Sequence, residues 1–233
     1  VAEERVSIDA RVTRLADALV RHGLILRGGF HPHPQDGLDA NGLDAKTVLL
    51  IGNAGPALWR AFEGQADGDD ATNPLDRWTK ALLDPLAVTF GAQALYPFGG
   101  PPYQPFQRWA QRAEDVHPSP LGLLIHPDYG LWHAYRAAFL FQDRLALPAR
   151  RERASPCEAC ADKPCLSACP VDAFAAERAY DVPACTAHIR SPAGAACRDQ
   201  GCQARHACPV GRAFTYDDAQ SGFHMAAFEK ARP

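Results

Sequence analysis

The sequence predicts an α+β architecture in two parts, a domain over residues 1–149 and a cysteine-dense module over residues 150–233. In the first part, segments of helical and strand period follow one another without a regular βαβ repeat. All eight cysteines lie between Cys157 and Cys208, a 52-residue window, and the preceding 156 residues hold none. A chain of 233 residues that is 47% apolar has material for one medium core or two small ones.

Taken in order, residues 7–22 read as an amphipathic helix with Ser7 as candidate N-cap. Ile8, Val12, Leu15, Leu19 and Val20 share a face, and Gly23 stops it. Leu24, Ile25 and Leu26 follow, then a polar loop to about Ala45. Val48 to Ile51 is a buried strand, which Gly52-Asn53-Ala54-Gly55 turns into a helix opening at Pro56 and carrying Trp59 and Phe62. That turn lacks the spacing of a dinucleotide fingerprint and reads as a strand-to-helix connection. Residues 64–72 are a Gly- and Asp-rich loop. Asn73-Pro74 starts a second helix, with Leu75, Trp78 and Leu82 at helical spacing and Pro85 near its end.

Val88 to Phe98 is predicted as a strand, leading into a loop over 96–106 that holds four prolines and four aromatics. A third helix carries Trp109. Strands near Leu121–His126 and Trp132–Phe141 flank Pro127-Asp128-Tyr129-Gly130, which reads as a hairpin. Arg144 to Pro156, with Arg150, Arg151 and Arg153, is the expected linker.

The longest apolar runs are strand-sized, well short of the ~20 residues of a membrane helix, so no membrane partner is expected. The acidic start shows no secretory pattern, which predicts a cytoplasmic protein, and in a reducing compartment clustered thiols point to metal rather than disulfides. Residues 1–149 carry 13 Lys and Arg against 17 Asp and Glu (net −4), and residues 150–233 carry 11 against 10 (net +1). Neither part has the charge of a basic nucleic-acid binder, so no nucleic acid is expected as partner.

The cysteines form two sets: Cys157-x2-Cys160-x4-Cys165-x3-Cys169-Pro170 and Cys185-x11-Cys197-x4-Cys202-x5-Cys208-Pro209. In bacterial two-cluster ferredoxins three closely spaced thiolates hold one cubane and a fourth, followed by proline, crosses to the other. These two sets resemble that pattern over roughly 60 residues. The resemblance assigns Cys157, Cys160, Cys165 and Cys208 to one 4Fe-4S cluster, and Cys185, Cys197, Cys202 and Cys169 to the other. The spacings are longer than the family's. Two structural zinc ions are the alternative, although only one Cys-x2-Cys pair occurs. Two oxidised cubanes of about −2 each would bring the module to about −3, a charge that N–H groups and cations must offset. His188 and His206 read as neighbours of the ligands rather than ligands.

Thr47–Phe62, Asn73–Trp78 and above all Leu124–Ala137, with its His-Pro-Asp-Tyr-Gly-Leu-Trp run, resemble the cobalamin-processing CblC family. They are also similar to the corrinoid domains of epoxyqueuosine reductases and reductive dehalogenases, in which a two-cluster ferredoxin module follows. The resemblance implies a nitroreductase-like α+β N-terminal domain with a ferredoxin-like module. It further implies a bound corrinoid (cobalamin) beside cluster electrons, and reduction of cobalt or removal of its upper ligand. His126, Pro127, Asp128, Tyr129, Gly130, Trp132 and Arg136 become the candidate corrinoid residues. Gly130 would let backbone approach a flat macrocycle, Tyr129 and Trp132 would cover its face, and Arg136 would meet a propionamide or phosphate. The alternative is a hairpin whose aromatics are core. The 96–106 loop is either a pocket wall or a surface cover.

Epoxyqueuosine reductases carry a further repeat domain for tRNA, so tRNA is not expected here. Dehalogenases carry an export signal, and human-type CblC proteins lack clusters. The sequence therefore predicts an iron–sulfur reductase passing electrons from an external donor, such as a flavodoxin or ferredoxin reductase, to a corrinoid. The competing readings are a flavin-dependent reductase and an electron-transfer protein with a docking domain and no second cofactor. Arg150, Arg151 and Arg153 either steer an acidic donor or are solvated.

Overall fold

The computed structural model describes residues 8–38, 42, 44–63, 72–175 and 179–232. Ser7 and nearly all of the 64–72 loop lie outside them. Two compact units are formed, Val1–Asp115 with Ala134–Glu152, and Val116–His133 with Arg153–Pro233. The predicted N-terminal domain, 1–149, therefore differs from the first unit in two places: residues 116–133 group with the cysteines, and residues 150–152 with the first unit.

In the first unit, α1 (Ala10–Val20) starts at Asp9, whose carboxylate accepts the Arg11 backbone N–H at 2.8 Å, and it buries Val12, Leu15 and Leu19. Strands β1 (Ile25–Phe30) and β2 (Thr47–Ala54) pair antiparallel, with a register irregularity between Leu26 and Gly29. Every residue of β2 from Thr47 to Asn53 is buried, as a Val/Leu/Ile run covered on both faces requires. Helices α2 (Ala57–Glu63) and α4 (Phe106–Ala113) pack on β2, while α1 and α4 pack on β1.

Helix α3 (Pro74–Phe90) is longer than its sequence suggests, because Pro85 lies inside it rather than at its end. Leu75, Thr79, Leu83 and Ala87 form one buried stripe that runs past the proline, while Pro85 and Val88 face solvent. The strand expected over 88–98 shrinks accordingly to β3 (Gln93–Leu95). The sheet order is β1-β2-β6-β3, where β6 is His133–Phe141.

In the second unit β4 (His117–Pro118) pairs with β5 (Leu124–Ile125). The predicted hairpin is thus replaced: β5 pairs with β4, and β6 pairs within the other sheet. Helices α5 (Pro164–Ser167), α6 (Val182–Arg190), α7 (Ala195–Gln200), α8 (Gln203–His206) and α9 (Asp218–Lys230) complete the unit. Its core is Leu121, Ile125, Leu131, Ala173, Phe174 and Ala204 together with Cys165 and Cys208. Leu121, Ile125 and Leu131 are what bind segment 116–133 to the cysteines, a long-range packing that the segment's own composition does not announce. The α+β expectation holds at the level of a mixed chain, with one four-stranded sheet, one two-stranded sheet and helices among the described residues.

Candidate functional site

All eight cysteines are free thiols. Burial pushes the Cys157 thiol up, with Cys208 and Cys160 adding to it, and burial raises Cys165, with Cys208, Cys157 and Cys160 adding. Cys208 is itself raised by burial and by Cys160. Elsewhere burial raises Cys185, helped by Cys169 and Cys197, and raises Cys202, helped by Cys197 and Cys185. The thiols so coupled fall into two groups: Cys157, Cys160, Cys165 and Cys208, and Cys169, Cys185, Cys197 and Cys202. Each group takes its distal member, Cys208 or Cys169, from the other stretch of sequence.

Donors are already aimed at several sulfurs. The Ala173 backbone N–H points at Cys169 Sγ at 3.3 Å, the Tyr180 hydroxyl bonds Cys185, and Ala204 and Arg205 backbone N–H groups bond Cys202. Val210 does the same for Cys208. These contacts favour negative charge on sulfur.

The four thiols of the second group line a single cavity of about 260 Å³, walled otherwise mainly by apolar side chains such as Phe174, Ile189 and Phe228. Among the described residues, no three His, Cys, Asp or Glu side chains close on one point as a single ion requires. Sulfur donors around an apolar-walled cavity fit a polynuclear iron–sulfur group, which spreads its ligands around a body of finite size. His188 lines that cavity, and His206 bonds the Gln200 carbonyl through Nε2 at 3.0 Å.

Six of the candidate corrinoid residues, His126 to Gly130 and Trp132, lie in the cysteine unit, whereas Arg136 lies in the other. His126 and Gly130 close a turn by exchanging backbone hydrogen bonds of 2.9 and 2.8 Å, with Pro127, Asp128 and Tyr129 inside it. His126 is buried, and its Nδ1 accepts the backbone N–H groups of Asp128 (3.0 Å) and Tyr129 (3.2 Å), which puts a neutral ring's proton on Nε2. The Tyr129 ring stacks on His126 at 4.2 Å and meets Phe214 edge-on at 4.9 Å. The exposed Asp128 carboxylate takes both arms of Arg153, at 2.8 and 3.0 Å, and Arg150 bonds the Glu114 carbonyl at 3.1 Å.

Gly130 and Trp132 have other duties than those first expected. Gly130 has φ +58°, and a Cβ there would sit 2.0 Å from the Val210 carbonyl oxygen; the backbone it admits is the chain's own, just beyond Cys208-Pro209. Trp132 is 1% exposed, with Tyr216 and His206 edge-on at 5.4 and 4.8 Å and the Arg205 guanidinium 4.4 Å above it. It is a core residue.

Arg136 belongs to a buried polar network that the sequence reading missed. Arg27, whose side chain is 0% exposed, pairs with Glu114 at 2.5 Å, bonds the Asn53 carbonyl at 3.1 Å and lies 4.8 Å over the Tyr135 ring. The Tyr135 hydroxyl donates to Glu114, and Arg136 reaches Asn53 Oδ1 at 3.4 Å and Asp76 at 3.9 Å. Burial raises the Asp76 carboxyl, with Arg136 opposing it. An arginine inside the otherwise apolar stretch Ile25–Phe30 was the available signal. The 96–106 loop is tied to α3, since the Tyr96 hydroxyl donates to Asp84 at 2.6 Å and stacks its ring on Phe98.

No protein-family model matches the chain, and no curated protein does. Among solved structures it is similar to an epoxyqueuosine reductase from Streptococcus thermophilus, with a TM-score of 0.51 and 15% identity over 88% of this chain and 67% of that one. A selenomethionine-labelled epoxyqueuosine reductase gives 0.48 and 14% over 90% and 69%. A third, an epoxyqueuosine reductase with an epoxyqueuosine-modified tRNA-Tyr stem loop, gives 0.45 and 15% over 87% and 67%. These neighbours are oxidoreductases, and the likeness is one of fold. The expectation of no nucleic-acid partner, which rested on net charge and on the further repeat domain of epoxyqueuosine reductases, is withdrawn, because an epoxyqueuosine reductase is held with a tRNA stem loop in that third structure. No described helix is long and apolar enough to cross a membrane.

Proposed function

We propose that the chain is an iron–sulfur reductase. One 4Fe-4S cluster would be held by Cys157, Cys160, Cys165 and Cys208, and a second by Cys169, Cys185, Cys197 and Cys202. The observation that carries this is the exchange of partners, Cys208 with the first stretch and Cys169 with the second. When bound, each cluster would supply one-electron transfer. The chain's own part is to orient the sulfurs, whose thiol protons would leave on iron binding. The Ala173, Ala204, Arg205 and Val210 backbone N–H groups and the Tyr180 hydroxyl stabilise negative charge there, and the apolar wall excludes water.

The acceptor proposed is a corrinoid, on the resemblance of Thr47–Phe62 and Leu124–Ala137 to corrinoid-handling domains, with a ferredoxin-like module and a nitroreductase-like domain as the finer fold. The donor is an external one-electron carrier in a reducing compartment, consistent with eight thiols and no disulfide. His126 Nδ1 accepts two backbone donors, which orients the ring beside Tyr129.

Anaerobic purification should yield about eight iron and eight sulfide per chain. Cys208→Ser combined with Cys157→Ser should lose no more iron than either alone, about half, whereas Cys208→Ser combined with Cys202→Ser should lose nearly all. Zinc without visible absorption, or iron loss following sequence stretch rather than these groups, overturns the cluster assignment. A spectral shift of hydroxocobalamin on binding supports the acceptor; binding of FMN instead removes it.

A further inference from the structure

Arg205 stands out among the cations of the second unit. Its guanidinium lies 4.4 Å from the Trp132 ring centre and 4.7 Å from that of Tyr216, and Nη2 donates to the Leu131 carbonyl at 2.6 Å. Its Nε is buried with no hydrogen-bond partner, and no carboxylate pairs with it among the described residues. The same residue lines the cavity shared by Cys169, Cys185, Cys197 and Cys202, and its backbone N–H bonds the Cys202 sulfur.

A half-buried guanidinium whose Nε is buried without a partner, and which has two ring faces and one carbonyl for company, is short of negative charge. We propose that Arg205 is the counter-charge of the cluster held by Cys169, Cys185, Cys197 and Cys202 and sets that cluster's reduction potential above the value its ligands alone would give; this rests on the iron–sulfur reading above. Adding an electron to a cubane already near −2 makes it more negative, so a fixed cation beside it favours the reduced form. The other group also has cations near it, Lys163 by Cys157 and Arg212 by Cys208, but both are exposed. Water and salt screen those, and they screen the half-buried Arg205 less.

The test is a dithionite titration followed by electron paramagnetic resonance on the full chain. Arg205→Met keeps an apolar stem in the aromatic slot and removes the charge; Arg205→Lys keeps the charge. In Arg205→Met one cluster should show at least a tenfold lower ratio of reduced to oxidised form at fixed potential, about 59 mV for one electron. The other cluster should stay within twofold. Arg205→Lys should recover most of the ratio, and the effect should survive high salt. Repeating Arg205→Met in a Cys208→Ser background, which leaves only the second cluster, should reproduce the full shift. Equal movement of both clusters, movement of neither, or a lysine variant as impaired as the methionine one overturns the assignment. A wild-type chain without iron overturns the cluster reading and this inference together; about eight irons with unmoved potentials overturns only the role of Arg205.

Discussion

Gly130 and Gly211 face each other so closely that neither can carry a side chain. A Cβ on Gly130 would lie 2.0 Å from the Val210 carbonyl oxygen, and one on Gly211 would lie 2.2 Å from the Tyr129 carbonyl carbon; both residues have positive φ, +58° and +71°. Gly122 has a comparable φ of +72° with nothing within 4 Å, so it separates backbone strain from collision. Gly122→Ala should cost about 1–2 kcal/mol, and Gly130→Ala clearly more, read as the urea midpoint of the iron-loaded protein. Equal losses would mean that the 129–130 and 210–211 backbones are not in contact. The sequence singled out Gly130 as a point where backbone would approach a flat macrocycle; what approaches it in the structure is the chain's own Val210 carbonyl. What it could not contain is the approaching partner, which is separated in the chain and has no complementary residue type. Trp132 illustrates the same limit, because an aromatic beside a ligand and one in a core look alike until His206, Arg205 and Tyr216 are seen around it.

At the scale of elements, proline misled where periodicity did not. The stripe Leu75, Thr79, Leu83 and Ala87 spans Pro85, and burial of that stripe outweighs the hydrogen bond the ring deletes. Reading the proline as a stop turned the last helical turn into a strand, since Val88, Thr89 and Phe90 are all good strand formers. Pro85→Ala should stabilise the protein by about 1–2 kcal/mol, less than the ~3 of a host helix, because the freer unfolded chain offsets part of the gain. A lower urea midpoint for that variant would refute this. The N-terminus of α6 is held by Asp181, whose carboxylate accepts the Ala184 N–H at 2.9 Å, one residue before Cys185. Asp181→Ala should cost about 1 kcal/mol, and the first-turn amides of α6 should exchange faster than those of α9. The helices carrying Leu15, Trp59 and Trp109 and the strand that holds β5 were legible; β4, two residues long, was not, because so short a strand carries no alternation.

On the scale of the molecule, the two units differ in what holds them, and the cysteine window showed half of that difference. The first unit has a sheet with a fully buried central strand and phenols kept neutral by burial. Burial and Asp84 raise Tyr96, and burial and Glu114 raise Tyr135 with Arg27 opposing, both from an ordinary value of 10.0. An unfolded chain loses these protons near that value while the folded chain keeps them. Stability is therefore fully present below about pH 10 and falls as pH rises above it, by up to about 1.4 kcal/mol per pH unit for each phenol. Urea midpoints should decline above about pH 10, and less steeply in Tyr96→Phe; an unchanged slope would refute the linkage. Among the described residues the second unit has no such sheet. Its core is shared between Leu121, Ile125, Leu131 and Phe174 and the thiols Cys165 and Cys208, with Cys157, Cys169, Cys185 and Cys202 packed against it. Removing the iron of the proposed clusters should take away cross-links that tie these segments together and leave buried polarisable sulfurs where the core needs contacts. Hydrogen exchange after anaerobic chelation should show protection lost through β5 and α5 to α9 while β1, β2 and β6 retain it. Uniform loss in both units would mean that they unfold as one, and unchanged protection throughout would mean that the cysteine unit holds together without metal.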